Sequence, residues 1–220
     1  MWRIFLKKKV AILGSRELAN YISKFIIEDD SYELIGFIDD YETKNSINGI
    51  PIIGKIVEVE KLTSEQVIDG VLMGIGYKNM SARKEIFEKL ANKTNFFNYI
   101  HPYAWVAKNV KLGVGCFVSP GCIIDQSSVI GNNNFLFSGC VFAHDTQVAD
   151  HCFFGPHVTM AGNCIIEKLC FLGVGSVLKN NIRIVENSTV GAGAVVINNI
   201  EQSGTYVGNP ARLLASPRFN

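Results

Sequence analysis

The chain has 220 residues, of which 48% are hydrophobic and 19% charged, and its formal net charge is +1. This composition predicts a folded protein with a substantial core, and it excludes a disordered chain or a strongly basic nucleic-acid-binding protein. No window approaches the ~20 apolar residues that a membrane-spanning helix needs. The N-terminus lacks the features of a signal peptide, so we expect a cytoplasmic protein without membrane insertion.

Residues 1–99 alternate short apolar runs with amphipathic segments. The apolar runs predict strands at Val10–Gly14, Leu34–Ile38, Gly49–Gly54 and Gly70–Gly76. Helical spacing predicts helices at Glu17–Ile27 and Ser81–Ala91, with Ser81 as the N-cap of the second. The inward face of the first helix is predicted to comprise Leu18, Tyr21, Ile22 and Phe25. Alternating strands and helices favour a small Rossmann-like α/β domain with a parallel sheet.

From Val106 to Val196, every sixth residue is large and apolar, giving sixteen positions in one unbroken register. Two residues before each lies a mostly small residue, and this column holds all six cysteines, Cys116, Cys122, Cys140, Cys152, Cys164 and Cys170. Neither a helix nor a hairpin has a period of six, whereas a triangular solenoid with three units per coil does. Residues 100–220 are therefore predicted to form a parallel β-helix. Its cysteines should be small buried hydrophobes rather than disulfides or metal ligands.

Three features accompany the repeats: the α/β domain, the lead-in Ile100-His101-Pro102, and the closing Val207-Gly208-Asn209-Pro210-Ala211-Arg212. Together they resemble the sialic acid and bacillosamine acetyltransferase family of bacterial surface-sugar biosynthesis, which includes nucleotide-4-amino-sugar N-acetyltransferases. The resemblance covers nearly the whole chain. It implies that residues 1–99 bind a nucleotide sugar and that residues 100–220 form a left-handed β-helix that binds acetyl-CoA. It also implies a homotrimer with active sites between adjacent solenoids, and no metal.

Acetyl transfer to an amine needs a base for the amine proton and a hydrogen-bond donor for the tetrahedral oxyanion. His144 lies in the middle of the solenoid, and Asp145 can hold one of its ring nitrogens if the chain turns there. The resemblance implies that they are the general base and its partner; a solvated histidine on a turn is the alternative. Of the other histidines, His101 is expected to be structural. His151 and His157 are expected to face solvent or a neighbouring subunit.

The resemblance places acetyl-CoA along the groove between two solenoids. The Gly162 N–H is the candidate oxyanion donor, and the alternative is a simple corner glycine. Further implied contacts of acetyl-CoA are Phe153, Val174, Ala192, Gly208, Asn209 and Pro210. The family often has a histidine in place of Phe153, so a hydrogen bond from that position is absent here. Arg212 and Arg218 are either contacts of the CoA phosphates or plain surface charges.

The nucleotide sugar is expected at the carboxyl ends of the N-terminal strands. The candidate contacts there are Gly14, Ser15, Arg16, Asp39, Asp40 and Gly76. The resemblance implies that Asp40 accepts a hydrogen bond from the N3–H of uracil or thymine. The first turn, Gly14-Ser15-Arg16-Glu17-Leu18-Ala19, departs from the glycine-rich, histidine-containing turn of the family, and Arg16 is the candidate replacement as a phosphate contact. The missing glycine fingerprint also argues against a dinucleotide oxidoreductase.

The sequence thus predicts an acetyl-CoA-dependent N-acetyltransferase, acting by direct transfer on a UDP-, dTDP- or GDP-linked amino sugar of the 4-amino-4,6-dideoxyhexose type. Two alternatives stay open. An O-acetyltransferase of sialic acid or a related sugar would depend more on the same base, because a hydroxyl is a poorer nucleophile. A non-catalytic hexapeptide scaffold belongs to another class, and a zinc-holding version would need His144, His151 and His157 to converge between subunits.

Overall fold

Two units with separate cores make up the chain, which divides after Asn98. The computed structural model describes residues 7–214, so the candidate phosphate contact Arg218 and the segment considered for a signal peptide lie outside the described residues. No helix among residues 7–214 is long and apolar enough to cross a membrane.

The first unit is a five-stranded sheet flanked by helices. Its strands are β1 (Lys8–Leu13), β2 (Tyr32–Ile38), β3 (Ser46–Ile47), β4 (Ile50–Gly54) and β5 (Gly70–Met73), in the spatial order 3-4-2-1-5. All pairs are parallel except β3 with β4. The helices are α1 (Glu17–Glu28), α2 (Val59–Ser64) and α3 (Met80–Leu90), with 3₁₀ turns at Ile56–Glu58 and Tyr77–Asn79. The predicted α/β class is confirmed, and β3 and α2 are additions to the predicted elements.

Two local predictions about the helices are wrong. The buried residues of α1 are Leu18, Ala19, Ile22, Ser23 and Ile26, whereas Tyr21 and Phe25 are partly exposed and pack edge to face against each other. Small residues bring this face close to the sheet: a Cβ added to Gly74 would lie 2.8 Å from the Cβ of Ala19. Ser81 is not the cap of α3, because the preceding 3₁₀ turn moves the start of the helix to Met80.

The second unit is a triangular β-helix with three faces. Face 1 comprises β6 (Tyr99–Ile100), β9 (Phe117–Val118), β12 (Phe135–Leu136), β15 (Phe153–Phe154), β18 (Phe171–Leu172), β21 (Thr189–Val190), β23 (Thr205–Val207) and β24 (Arg212–Leu213). Face 2 comprises β7 (Trp105–Val106), β10 (Ile123–Ile124), β13 (Val141–Phe142), β16 (Thr159–Met160), β19 (Val177–Leu178) and β22 (Val195–Val196). Face 3 comprises β8 (Lys111–Leu112), β11 (Val129–Ile130), β14 (Gln147–Val148), β17 (Ile165–Ile166) and β20 (Arg183–Ile184).

The register of these strands is the predicted eighteen-residue coil. Phe135 pairs with Phe153, and Val141 pairs with Thr159, in parallel. The large apolar residues point inward and are buried from Val118 to Val196, while Val106 and Leu112 in the first coil are partly buried. The predicted parallel β-helix is confirmed.

The cysteine column has a second role that the periodicity did not reveal. Each thiol donates a hydrogen bond to the backbone carbonyl fifteen residues later, as from Cys116 to Gly131 (3.1 Å) and from Cys140 to Gly155 (3.2 Å). Ser128 makes the same contact to Ala143 (3.3 Å). These small polar side chains therefore fill the corner and satisfy a carbonyl of the next coil.

We expect the six cysteines to be inert in the folded protein. All six are free and buried in the corners of the coils, so a reagent cannot reach them in the folded protein. Titration with a chromogenic disulfide should detect no fast-reacting thiol in the native protein and six after denaturation. Rapid reaction of any thiol in the native state would contradict this.

Candidate active site

His144 lies at the corner between faces 2 and 3, where four successive coils make the same turn. The third corner residue has a positive φ in successive coils: +62° at Ser127, +58° at Asp145 and +59° at Asn163. Asp and Asn tolerate this left-handed conformation better than most residues. The turn that a His144–Asp145 contact requires is therefore a regular property of the corner.

The two side chains form a hydrogen-bonded pair. His144 Nδ1 lies 2.8 Å from Asp145 Oδ2, and both side chains are about half exposed. The backbone N–H of Asp145 donates to the carbonyl of Gln126 (3.0 Å), which fixes the turn. With the carboxylate accepting from Nδ1–H, the neutral imidazole presents an unprotonated Nε2, the form required to accept a proton.

Gly162 lies one coil after His144 at the same corner, directly against the imidazole. A Cβ added to Gly162 would lie 2.6 Å from both Cε1 and Nε2 of His144. The φ of Gly162 is not positive, so the space taken by the ring, rather than backbone conformation, requires glycine. Its carbonyl accepts from Asn181, and within the described residues its N–H has no assigned acceptor. This N–H can therefore donate to a ligand next to Nε2.

The other candidate contacts of acetyl-CoA fall into two groups. Val174 and Ala192 are exposed at the corner between faces 1 and 2. Gly208 continues this line, because its carbonyl accepts from the N–H of Val195 (3.0 Å), and Asn209 and Pro210 follow it. Arg212 is exposed nearby in sequence. These residues form a strip of mostly small side chains, and their contact with acetyl-CoA stays a prediction.

Phe153 belongs to neither group. Its ring lies on face 1 between the rings of Phe135 (4.9 Å) and Phe171 (6.1 Å), and it is 1% exposed. Phe137 packs edge-on against it. The ring therefore has almost no surface to offer a ligand, and packing within this aromatic ladder accounts for the residue.

The remaining histidines lie at other positions of the solenoid and do not form a cluster with His144. The expected surface position of His151 is wrong: the residue is 4% exposed, and its φ of +63° directs the ring onto Asn133 of the preceding coil, 3.0 Å from Nδ1 to Nδ2. His157 is exposed, with its ring over Gly139. His101 accepts from the N–H of Tyr103 at the start of the solenoid. Within residues 7–214, no group of three or more His, Cys, Asp or Glu side chains is arranged to hold a metal.

The nucleotide-site candidates lie at the carboxyl ends of β1, β2 and β5, where the strand order reverses beside β1. Gly14 turns the chain after β1 with a φ of +90°. Ser15 donates to Asp39 (2.7 Å), which also accepts from the N–H groups of Tyr41 and Glu42. Burial raises the pKa of Asp39, but these hydrogen bonds outweigh it and hold the pKa below its ordinary value. Asp39 is thus an ionised residue that organises the loops.

Asp40, Arg16 and Gly76 complete this edge. One oxygen of Asp40 accepts from the N–H of Ile56 (2.8 Å), and the residue is exposed, so it supports the following 3₁₀ turn and still faces solvent. Arg16 is exposed at the start of α1, and Gly76 precedes the Tyr77–Asn79 turn. The structure brings the six candidates to one edge, while their contacts with a nucleotide stay predictions.

Sequence reasoning missed one residue of this edge. Arg83 is fully buried on α3, and its Nη1 donates to the carbonyls of Met73 (3.3 Å) and Ile75 (2.8 Å), which supports the loop after β5. The sequence does contain an indication of this position, because the spacing of one buried helix face links Arg83, Phe87 and Leu90. A lone arginine on such a face indicates a buried polar role.

Comparisons with known proteins find a matching family model in each of the two units. Residues 9–90 match the family model of the PglD N-terminal domain, and residues 127–162 match the bacterial transferase hexapeptide model of six repeats. No curated protein matches the chain. A histidine-to-alanine variant of GDP-perosamine N-acetyltransferase from Caulobacter crescentus, solved with CoA and GDP-perosamine, is 27% identical. That match covers 94% of this chain and 97% of that chain, with a TM-score of 0.87.

Two further structures have the same architecture. The acetyltransferase domain of PglB from Neisseria gonorrhoeae, solved with acetyl coenzyme A, is 26% identical over 94% of this chain and 100% of that chain, with a TM-score of 0.87. WeeI from Acinetobacter baumannii is 23% identical over 93% of this chain and 99% of that chain, with a TM-score of 0.82. At this identity the similarity supports the fold alone. The two domain matches and these similarities agree with the resemblance carried by the sequence motifs: the chain joins a PglD-type N-terminal domain to a hexapeptide-repeat solenoid, the architecture of the acetyltransferases that it resembles.

Proposed function

We propose that this enzyme transfers the acetyl group of acetyl-CoA to the amine of a nucleotide-linked amino sugar, as a step in surface-glycan synthesis. The observation that carries the proposal is the His144–Asp145 pair (2.8 Å) with the imidazole lying against Gly162. This arrangement offers a base and a backbone donor on adjacent coils. The similarity to an N-acetyltransferase solved with CoA and GDP-perosamine supports both substrates.

The proposed reaction is a direct transfer. The amine attacks the thioester carbonyl while His144 Nε2 takes its proton, and Asp145 stabilises the resulting imidazolium. The Gly162 N–H donates to the oxyanion of the tetrahedral intermediate, which collapses with release of the CoA thiolate. No covalent enzyme intermediate is needed, because a neutral amine is already a good nucleophile.

A homotrimer would complete this site. His144 is about half exposed at a corner of a single chain, so a second wall is needed to exclude water. Face 2, which borders that corner, exposes apolar side chains, including Ile123 (41%) and Val177 (40%). Exposed apolar surface of this kind fits contact with a copy of the same chain around a three-fold axis. The strip from Val174 to Pro210 is the proposed path of acetyl-CoA.

A thiol-release assay with acetyl-CoA and a panel of UDP-, dTDP- and GDP-linked 4-amino sugars tests the proposal. We expect rapid CoA release with one acceptor and acetylation of its nitrogen by mass spectrometry. The buried cysteines suit this assay, because they should add little background. Absence of acetylation with every amino sugar would contradict the proposal.

Two other functions remain as outcomes of the same assay. Acetylation of sialic acid and not of amino-sugar nucleotides would favour an O-acetyltransferase. Inactivity with both classes of acceptor would favour a scaffold, for which metal analysis of the purified protein is the next measurement. The cytoplasmic location stays a prediction, and it fits the proposed substrates.

A further inference from the structure

A groove lies on the first two coils of the solenoid, and its last residue is one coil before His144. It has a volume of about 470 Å³ and is lined by Trp105, Val106, Ala107, Lys108, Asn109 and Gln126. This volume is within the range of small-molecule sites. All six residues belong to the first two coils at face 2 and the adjoining corner with face 3.

Two residues of this groove stand in one column with the proposed base. Lys108, Gln126 and His144 occupy the same corner position in successive coils, because Val106 pairs with Ile124 and Ile124 with Phe142. Neighbouring parallel strands are about 4.8 Å apart, so the backbone of Gln126 lies about 5 Å and that of Lys108 about 10 Å from that of His144. Gly162 occupies the next position on the other side of His144.

The side chains of this column are available to a ligand. Within the described residues, neither the Lys108 ammonium nor the Gln126 amide has an assigned hydrogen-bond or ion-pair partner, and both residues are exposed. Asn109 differs, because its amide is bonded to the backbone and hydroxyl of Ser127. Trp105, which is 53% exposed, provides an apolar wall. The groove therefore offers one positive charge, one free amide and one aromatic surface.

We propose that this groove holds the sugar and the adjoining phosphate of the acceptor, an inference that rests on the proposed function. With the reacting nitrogen at His144 Nε2, the pyranose ring extends past Gln126, whose amide binds a ring hydroxyl. The anomeric oxygen of a 4-amino sugar lies across the ring from the amine, so the phosphate attached there reaches the ammonium of Lys108. Acetyl-CoA then approaches from the Gly162 side.

The assignment makes Lys108 a specificity residue for a phosphate on the anomeric carbon. A carboxylate next to the anomeric carbon, as in sialic acid, carries the same charge, so the shared chemistry is an anion at that end of the sugar. We assign the anion to phosphate, because the similar enzyme from Caulobacter crescentus was solved with a nucleotide-linked sugar.

The test compares Lys108→Met with wild type on four acceptors: the nucleotide-linked 4-amino sugar, its 1-phosphate without the nucleoside, the free amino sugar, and sialic acid. We expect the KM for both phosphorylated acceptors to rise at least about 10-fold in the variant. The KM for the free sugar and for acetyl-CoA should stay within about two-fold. A merely structural role of Lys108 would affect all acceptors alike. Lys111→Met, an exposed lysine in the same coil on face 3, is the matched control and should change none of these values.

The outcomes separate this inference from the proposed function. An active wild type with unchanged phosphate-dependent KM values in Lys108→Met would overturn the inference and leave the function intact. An active wild type in which Lys108→Met weakens sialic acid but not sugar phosphates would overturn the assignment to phosphate. A wild type inactive on every acceptor would overturn both proposals.

Discussion

Replacing His144 with alanine is expected to leave the chain folded and its melting temperature unchanged, but to lower kcat by about 10²- to 10⁴-fold. The side chain is about half exposed, so its loss creates no buried cavity. The proton of the attacking amine would then have no base in place. Steady-state kinetics with the best acceptor measure the effect, and the KM for acetyl-CoA should change little. Activity within a few-fold of wild type would remove His144 from the mechanism.

Asp145→Asn separates the charge of the pair from the geometry of its corner. Asn tolerates the φ of +58° found at Asp145, so the turn should survive, whereas alanine would strain it. The amide cannot stabilise an imidazolium as the carboxylate does. We expect a smaller loss of kcat than in His144→Ala, about 10- to 100-fold. A loss as large as that of His144→Ala would mean that Asp145 does more than hold the ring.

Gly162→Ala is expected to lower kcat about 100-fold without unfolding the protein. The added methyl would lie 2.6 Å from Cε1 and Nε2 of His144, so the imidazole must move away from its position. A displacement of about 1 Å at a reacting group can cost this much in rate. Alanine is otherwise acceptable at Gly162, because the φ there is not positive. Kinetics and thermal unfolding of the variant measure the two effects.

A double variant tests whether Gly162→Ala acts through His144. If the methyl harms catalysis by displacing the imidazole, Gly162→Ala combined with His144→Ala should be no slower than His144→Ala alone, because neighbouring changes with one cause do not add. Full additivity would instead indicate that the methyl harms catalysis independently of the ring, for example by shifting the Gly162 N–H away from the oxyanion. Wild-type rates in Gly162→Ala would contradict the close contact of ring and glycine.

The solenoid was predictable because its period is a direct consequence of its geometry. Six-residue spacing of large residues from Val106 to Val196 leaves few other folds, and the eighteen-residue pairing follows from it. The class of the first unit followed from alternating strands and helices. Its details did not: the start of α3 moved to Met80, because a local 3₁₀ turn and not the capping preference of Ser81 sets it.

For the site, the sequence by itself, with the resemblance that it carries, indicated the candidate residues: a histidine followed by an aspartate at a repeat corner, and a glycine eighteen residues after the histidine. Only the tertiary structure decided how these residues meet. Stacking of the coils places the Gly162 backbone against the His144 ring, buries His151 and Phe153, and leaves the side chains of Lys108 and Gln126 exposed. A sequence period states which residues share a corner, but whether a side chain turns inward, along the column or toward solvent depends on packing between coils.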